Sequence, residues 1–254
     1  MDDRQRLRYS RHLLLEGFGE EAQERLLGAR ALVVGAGGLG SGALLYLASS
    51  GVGRITVADG DAVDLTNLQR QVVHRAESVG VNKAVSAAAT LATINPDIEI
   101  VALAERLAPD RLRALAGESD VVLDCSDNFA TRHAINEACV RARVPLVSGA
   151  GIRFDGQIAV FDQRRPGSAC YHCLFPADAQ GEEERCATMG VFAPLVGVIG
   201  TMQAMEAIKL IAGVGDSLAG RLLLFDSRAV RWHEVRLVRD PNCTVCGEAR
   251  AAAA

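Results

Sequence analysis

Aromatic residues make up only 4% of this 254-residue chain, with a single tryptophan. Its core must therefore be built from alanine, valine, leucine and isoleucine. No uninterrupted apolar run reaches the roughly 18 residues of a membrane-spanning helix, so no membrane span is expected. There is no excess of positive charge either. Lysine and arginine number 27 against 31 aspartates and glutamates, a net charge of -4. That balance lacks the basic patch on which nucleic-acid binding depends. The opening segment MDDRQRLRYSRHLLLEGFGEE is charged throughout and has no apolar signal core, which points to the cytoplasm. In that compartment the seven cysteines are reduced thiols. Paired Cys-x-x-Cys motifs then read as metal or redox sites rather than disulfides.

What the chain does contain is 49% hydrophobic and 23% charged residues, enough for one large α/β domain. Residues 4–27 have helical spacing, with Leu7, Leu13, Leu14, Leu26 and Leu27 as expected core contacts. The short apolar run 31–35 reads as a buried strand, because alternation is missing where both faces of a sheet are covered. Residues 41–50 read as a helix, 54–59 as a strand ending in an acid, and 83–94 as an alanine-rich helix stopped by Asn95-Pro96. Two more buried strands follow at 120–124 and 144–148. This alternation predicts a Rossmann-like, doubly wound, mostly parallel sheet with right-handed crossovers. After about residue 150 the pattern changes. Strands at 157–161, 221–225 and 232–238 suggest a second sheet, mixed or antiparallel, running on from the first. The apolar stretch 191–211 predicts a buried helix after Pro194. The polar segment 177–188 is the candidate mobile loop.

Gly35, Gly37 and Gly40 satisfy G-x-G-x-x-G directly between a strand and a helix. Glycine lets the backbone approach a phosphate, and the helix N-terminus supplies free N–H groups. Asp59 lies about 20 residues further on, where an acid can accept from ribose hydroxyls. By itself this fits a dinucleotide-dependent dehydrogenase equally well. The following segment favours a triphosphate. Asp61, Thr66, Asn67, Leu68, Gln69 and Arg70 come straight after the ribose acid, Lys83 opens a helix, and Asp127 and Asn128 follow a strand end. Hydride transfer has no need of these charges. A triphosphate does: Arg70 and Lys83 can neutralise its oxygens, and Asp127 can hold Mg²⁺ between them.

Cys170-x-x-Cys173 and Cys243-x-x-Cys246 supply four thiolates, enough for a closed tetrahedral zinc site of structural type. His172, inside the first pair, reads as an exposed spacer. Cys125 and Cys139 fall in core elements, and His74, His133 and His233 as structural or surface histidines.

Taken together, Arg8-Tyr-Ser-Arg11, the glycine loop, Asn67-Leu-Gln-Arg-Gln71, Asp124-Cys-Ser-Asp-Asn128, Cys170-Tyr-His-Cys173 and the stretch Val196 to Lys209 resemble the ThiF/MoeB/HesA adenylyltransferases, relatives of ubiquitin-activating enzymes. The resemblance runs from Arg8 to Gly247. It implies adenylation of the C-terminal glycine of a ubiquitin-like, β-grasp sulfur carrier protein. It also implies that Gly38, Asp59, Asn67, Arg70, Lys83 and Asp127 contact ATP or its Mg²⁺. Arg11 would reach into the neighbouring subunit's site, making the active unit a homodimer. The implied organisation is one adenylation domain over residues 1–250, with a nucleotide-binding half (1–150), a carrier-docking half (151–250) and a disordered tail (251–254). A cysteine at the place of Cys186 can, in related enzymes, bond covalently to the carrier. Arg185 favours its thiolate and Glu182 to Glu184 oppose it, and retention without catalytic need is the reading taken here.

Two departures stand out: His12 replaces the family's usual Gln, and Val81-Asn82 precedes Lys83 in place of a Gly- or Pro-containing turn. Residues 148–157 and Phe192-Ala-Pro-Leu-Val-Gly look most like the molybdopterin branch. Ala169-Cys-Tyr-x-Cys and Asp2-Asp3-Arg4 lean toward the thiazole branch. The chain shows no C-terminal rhodanese-like domain, so a separate cysteine desulfurase or rhodanese is the expected sulfur donor. A zinc-bearing NAD oxidoreductase and a silent carrier-docking scaffold are the readings of other classes.

Overall fold

The computed structural model describes residues 1–177 and 189–247. The expectations for 178–188, Cys186 among them, and for the tail 251–254 fall outside those residues.

Eight strands form one continuous sheet in the order β3-β2-β1-β4-β5-β6-β7-β8. They are β1 (Arg30–Val34), β2 (Arg54–Ala58), β3 (Glu99–Leu103), β4 (Val121–Asp124), β5 (Leu146–Ile152), β6 (Asp155–Phe161), β7 (Arg221–Asp226) and β8 (Arg231–Arg236). The first five pair in parallel. From β5 onward every pairing is antiparallel. The second sheet expected after residue 150 is therefore an extension of the first. The reason lies in β5: its first residues pair with β4, and its full seven-residue length pairs with β6.

The helices are α1 (Asp3–Arg8), α2 (Ser10–Leu13), α3 (Gly19–Gly28), α4 (Gly38–Ser49), α5 (Lys83–Ile94), α6 (Pro109–Gly117), α7 (Phe129–Ala142), α8 (Tyr171–Leu174) and α9 (Ala193–Ala212). The parallel strands are apolar on both faces, and successive residues go to opposite layers. Ala31 and Val33 pack under α3, α4, α5 and α9, whereas Leu32 and Val34 pack against α6 and α7. Burial on both sides is why no alternation is legible in these strands.

Two expectations change. The helical stretch 4–27 is three helices: Tyr9 (φ -97°, ψ 13°) interrupts the spiral between α1 and α2, and Gly17 and Gly19, with positive φ (78° and 66°), separate α2 from α3. Leu26 is buried, but Leu7 (78% exposed) and Leu14 (76%) stand on the surface rather than in the core. Helix α9 lies where a buried helix was expected after Pro194, and by length and composition it is also apolar enough to cross a membrane. It is the central core helix, packed chiefly on α4 and half buried. Its Gln203 and Glu206 are fully enclosed and bonded inward, to Asp124 O (2.7 Å) and from Leu218 N (2.7 Å).

Candidate active site

In the parallel half the chain winds outward from β1 to β3, then returns to place β4 on the other side of β1. The loops after β1 and β4 diverge at this switch point, where open α/β sheets bind their ligands. Gly35 has φ 99°, and a Cβ there would lie 2.6 Å from the carbonyl oxygen of Cys125. The two loops thus touch through a position only glycine can occupy. A Cβ on Gly40 would lie 2.1 Å from the carbonyl of Gly35, so that glycine serves helix–loop packing and is buried. Helix α4 begins with no side-chain cap on Gly37. Its first N–H groups are left for an anionic ligand.

Asp59 holds this loop. One carboxylate oxygen accepts from Ala36 N and the other from Asp61 N, both at 2.8 Å. Each oxygen keeps a lone pair for a hydroxyl donor. Lys83 is the first residue of α5. Asn82 caps that helix by accepting from Ala84 N (2.9 Å) and Val85 N (3.2 Å), and its amide donates to the carbonyls of Asp59 and Asp61. The unusual Asn82 thereby does the work of a rigid turn. Lys83 is only 7% exposed, with Nζ 3.3 Å from Asp61. Arg106 reaches the other Asp61 oxygen at 2.8 Å. These two cations, Arg106 foremost, hold the Asp61 carboxyl below its ordinary range. Arg106 belongs to a loop without a recognisable motif, so no local signal marks it.

The cavity enclosed here measures ≈ 1360 Å³. Its wall includes Gly35, Gly37, Gly38, Asp59, Asp61, Arg70, Lys83, Asp127 and Asn128, all singled out from the sequence. It runs on past Gly156 and Gln157 of β6 to Phe225 of β7 and His233 of β8. Small-molecule pockets measure about 300–1,000 Å³, so the space exceeds what a single small molecule needs. Thr66, Asn67, Leu68 and Gln69 lie off this wall. They form the tight turn that aims Arg70, whose N–H donates to Asn67 O (3.0 Å) and whose guanidinium donates to Thr66 O (3.3 Å). Arg11, on α2, is exposed and away from its own chain's cavity.

Beneath the loop after β4 lies a buried polar network. Asp124 (1% exposed) accepts from Ser126 Oγ (2.6 Å) and Ser148 Oγ (2.9 Å) and pairs with Arg132 at 3.6 Å. Arg132 also donates to Gly149 O (2.9 Å) and Ser126 O (2.6 Å). Asp127, one residue past this clamp, is exposed to the cavity. Sequence reasoning missed Arg132, because an arginine inside a helix looks like a surface charge until its burial is seen. Cys125 and Cys139 are core thiols as expected, pushed above their ordinary range by burial and by the nearby charge of Asp124.

His74 is buried behind the glycine loop. Its Nε2 donates to Ala36 O and its Nδ1 lies against Ser86 Oγ, both at 2.9 Å. It ties α5 to the loop, a satisfied structural role. Burial lowers its pKa from 6.5. The unfolded chain therefore takes up the proton first, so the stability present above about pH 6.5 is lost as pH falls below that value. Unfolding temperatures measured from pH 8 to 5 are expected to fall less steeply on the acid side for His74→Gln than for the parent. Equal slopes would count against this.

On the opposite side, Cys170, Cys173, Cys243 and Cys246 converge, all four sulfurs within 4.8 Å of one another. The Sγ separations Cys170–Cys173, Cys170–Cys243 and Cys173–Cys246 are 3.9, 3.7 and 3.4 Å. Tetrahedral thiolates about 2.3 Å from a zinc ion lie about 3.8 Å apart, so the donor set fits. His172 is not among the four converging residues, but it is half-buried rather than exposed, its Nε2 3.3 Å from Thr244 Oγ1 inside the second pair.

Comparison with known proteins agrees with this geometry. A profile described as the ThiF family matches residues 9–245. The chain is 47% identical to the molybdopterin-synthase adenylyltransferase of Escherichia coli K12, over 98% of this chain and 99% of that one. It is 44% identical to the sulfur carrier protein ThiS adenylyltransferase of the same organism, over 99% of each. Among solved structures, E. coli MccB with ATP superposes with a TM-score of 0.81 at 26% identity, covering 94% of this chain and 73% of that one.

Proposed function

This chain belongs to the ThiF family, and from that footing we propose that it adenylates the C-terminal glycine of a ubiquitin-like sulfur carrier, giving an acyl-adenylate and pyrophosphate, as the activating step of molybdenum cofactor biosynthesis. It is an adenylyltransferase. The carrying observation is the meeting, at one switch point, of an uncapped helix N-terminus, two cations and a free carboxylate around a cavity of ≈ 1360 Å³.

The attacking carboxylate is ionised at pH 7, so no general base is required. It adds to the α-phosphorus of ATP while pyrophosphate departs. The obstacle is repulsion between anions and the charge that builds during displacement. Arg70 and Lys83 are placed to offset both, and Asp59 to hold the ribose. Asp127 and Asn128 fit a Mg²⁺ ion, which when bound neutralises phosphate oxygens. Catalysis is then positioning and electrostatics. Arg11 completes the site from a second copy, making the active unit a homodimer. The exposed Leu7 and Leu14 beside it support that reading. Zinc on the four thiolates has a structural role, pinning residues 243–246 to the segment after β6. A cysteine desulfurase or rhodanese is the sulfur donor on this reading, which also assigns the enzyme to the cytoplasm.

The test is ATP–pyrophosphate exchange run with each candidate carrier. Exchange supported by the molybdopterin-synthase carrier is the expected result. Exchange only with the thiazole carrier would move the chain to that branch, and exchange with neither would overturn the assignment.

A further inference from the structure

Cys170 is fully enclosed (0% exposed), so as a metal-bound thiolate it has no water to solvate it. A buried anion requires donors from the protein. One comes from α7. Asn136, 1% exposed, has its Nδ2 3.6 Å from the Cys170 sulfur. Its Oδ1 accepts from the backbone N–H of Tyr171 at 2.9 Å. That second bond decides the amide's orientation: a backbone N–H can only donate, so the oxygen faces it and the NH₂ faces the sulfur. Cys243 has its own donor, the N–H of Val245 at 3.4 Å. Among the described residues Asn136 is the side chain that donates to Cys170. It lies one four-residue step beyond Arg132 on α7, the helix that Asn128 caps, so the residue behind the sulfur is anchored by the same helix that builds part of the cavity wall.

We propose that Asn136 is a positioning residue of the zinc site, holding the Cys170 thiolate in place by an N–H···S hydrogen bond from outside the Cys-x-x-Cys motifs. This rests on the zinc reading above. Outer partners that orient a ligand commonly change metal affinity about 10–100-fold. The experiment uses the full chain loaded with zinc, following metal transfer to a chelating dye. Asn136→Asp fills the same volume and keeps the bond from Tyr171 N but removes the donor. It is expected to release zinc about 10–100 times faster than the parent, as is Asn136→Ala.

Cobalt substitution supplies a readout that packing alone does not move. Losing the donor raises the energy of the sulfur lone pair, so the sulfur-to-cobalt charge-transfer band of Asn136→Ala shifts to lower energy. Parent protein without zinc would sink the metal reading itself. Parent protein that binds zinc, alongside variants with unchanged release and an unchanged cobalt band, would sink the role of Asn136 alone. Unfolding temperatures of the loaded variants show that folded protein is being compared, and the aspartate variant carries the test if the alanine variant folds poorly.

Discussion

Asp127→Ala is expected to abolish carrier-dependent ATP–pyrophosphate exchange, a loss of at least the order of 10²–10³, and to leave the unfolding temperature where it was. Both halves follow from where the carboxylate sits. Asp127 is exposed on the cavity wall and makes no ion pair among the described residues, and its bond from Asn128 Nδ2 is long at 3.5 Å. Removing it opens no packed space. What it removes is the anion available for a magnesium ion, and with that ion goes much of the counter-charge on the phosphates. Asp127→Asn should lose activity nearly as fully, since shape remains and charge does not. Near-normal exchange in the alanine variant removes Asp127 from the mechanism.

The second large effect is on folding. Arg132→Met leaves Asp124 1% exposed and without its cation. Breaking a buried pair from one side costs about 3–5 kcal/mol, a large share of the roughly 5–15 kcal/mol that holds a typical domain together. At roughly 2–4 °C per kcal/mol for a chain of this size, the unfolding temperature should fall by roughly 6–20 °C. Ser126 and Ser148 still donate to Asp124 in this variant, which places the expected loss near the lower end. Combining Arg132→Met with Asp124→Asn recovers part of the loss, because no uncompensated charge remains. Calorimetry on the two variants measures this directly, and Arg132→Met within 1 °C of the parent would mean that the pair carries little of the stability.

These two aspartates, three positions apart, show what a linear reading can and cannot see. Asp127 was recognisable because its motif follows a strand that ends at a ligand-binding edge. Asp124 was visible only as the end of that strand. Its partners come from residue 132 on α7 and residue 148 on β5, and Gln203 on α9 donates to its carbonyl. The same divide runs through the cations. Lys83 and Arg70 sit beside motif residues and were picked out, whereas Arg106 reaches Asp61 from 45 positions away. Helix α5 was bounded correctly from Lys83 to Ile94, because Asn82 and Asn95-Pro96 mark its ends locally. The N-terminal stretch was not, since leucine spacing alone cannot tell a buried face from one left open.

The chemistry of activation by adenylation was implied by the family resemblance. From residue order alone came the class of the fold, the phosphate loop and the two Cys-x-x-Cys pairs with the spacing of zinc ligands. Each rests on interactions within a few positions, where the backbone conformation demanded by a glycine or a cap is written in the residues themselves. Tertiary structure alone decided that β5 is the strand joining the parallel and antiparallel parts, which polar groups are buried, and which distant side chains share a carboxylate. Those depend on desolvation and on distance in space, and neither quantity exists until the chain has closed on itself.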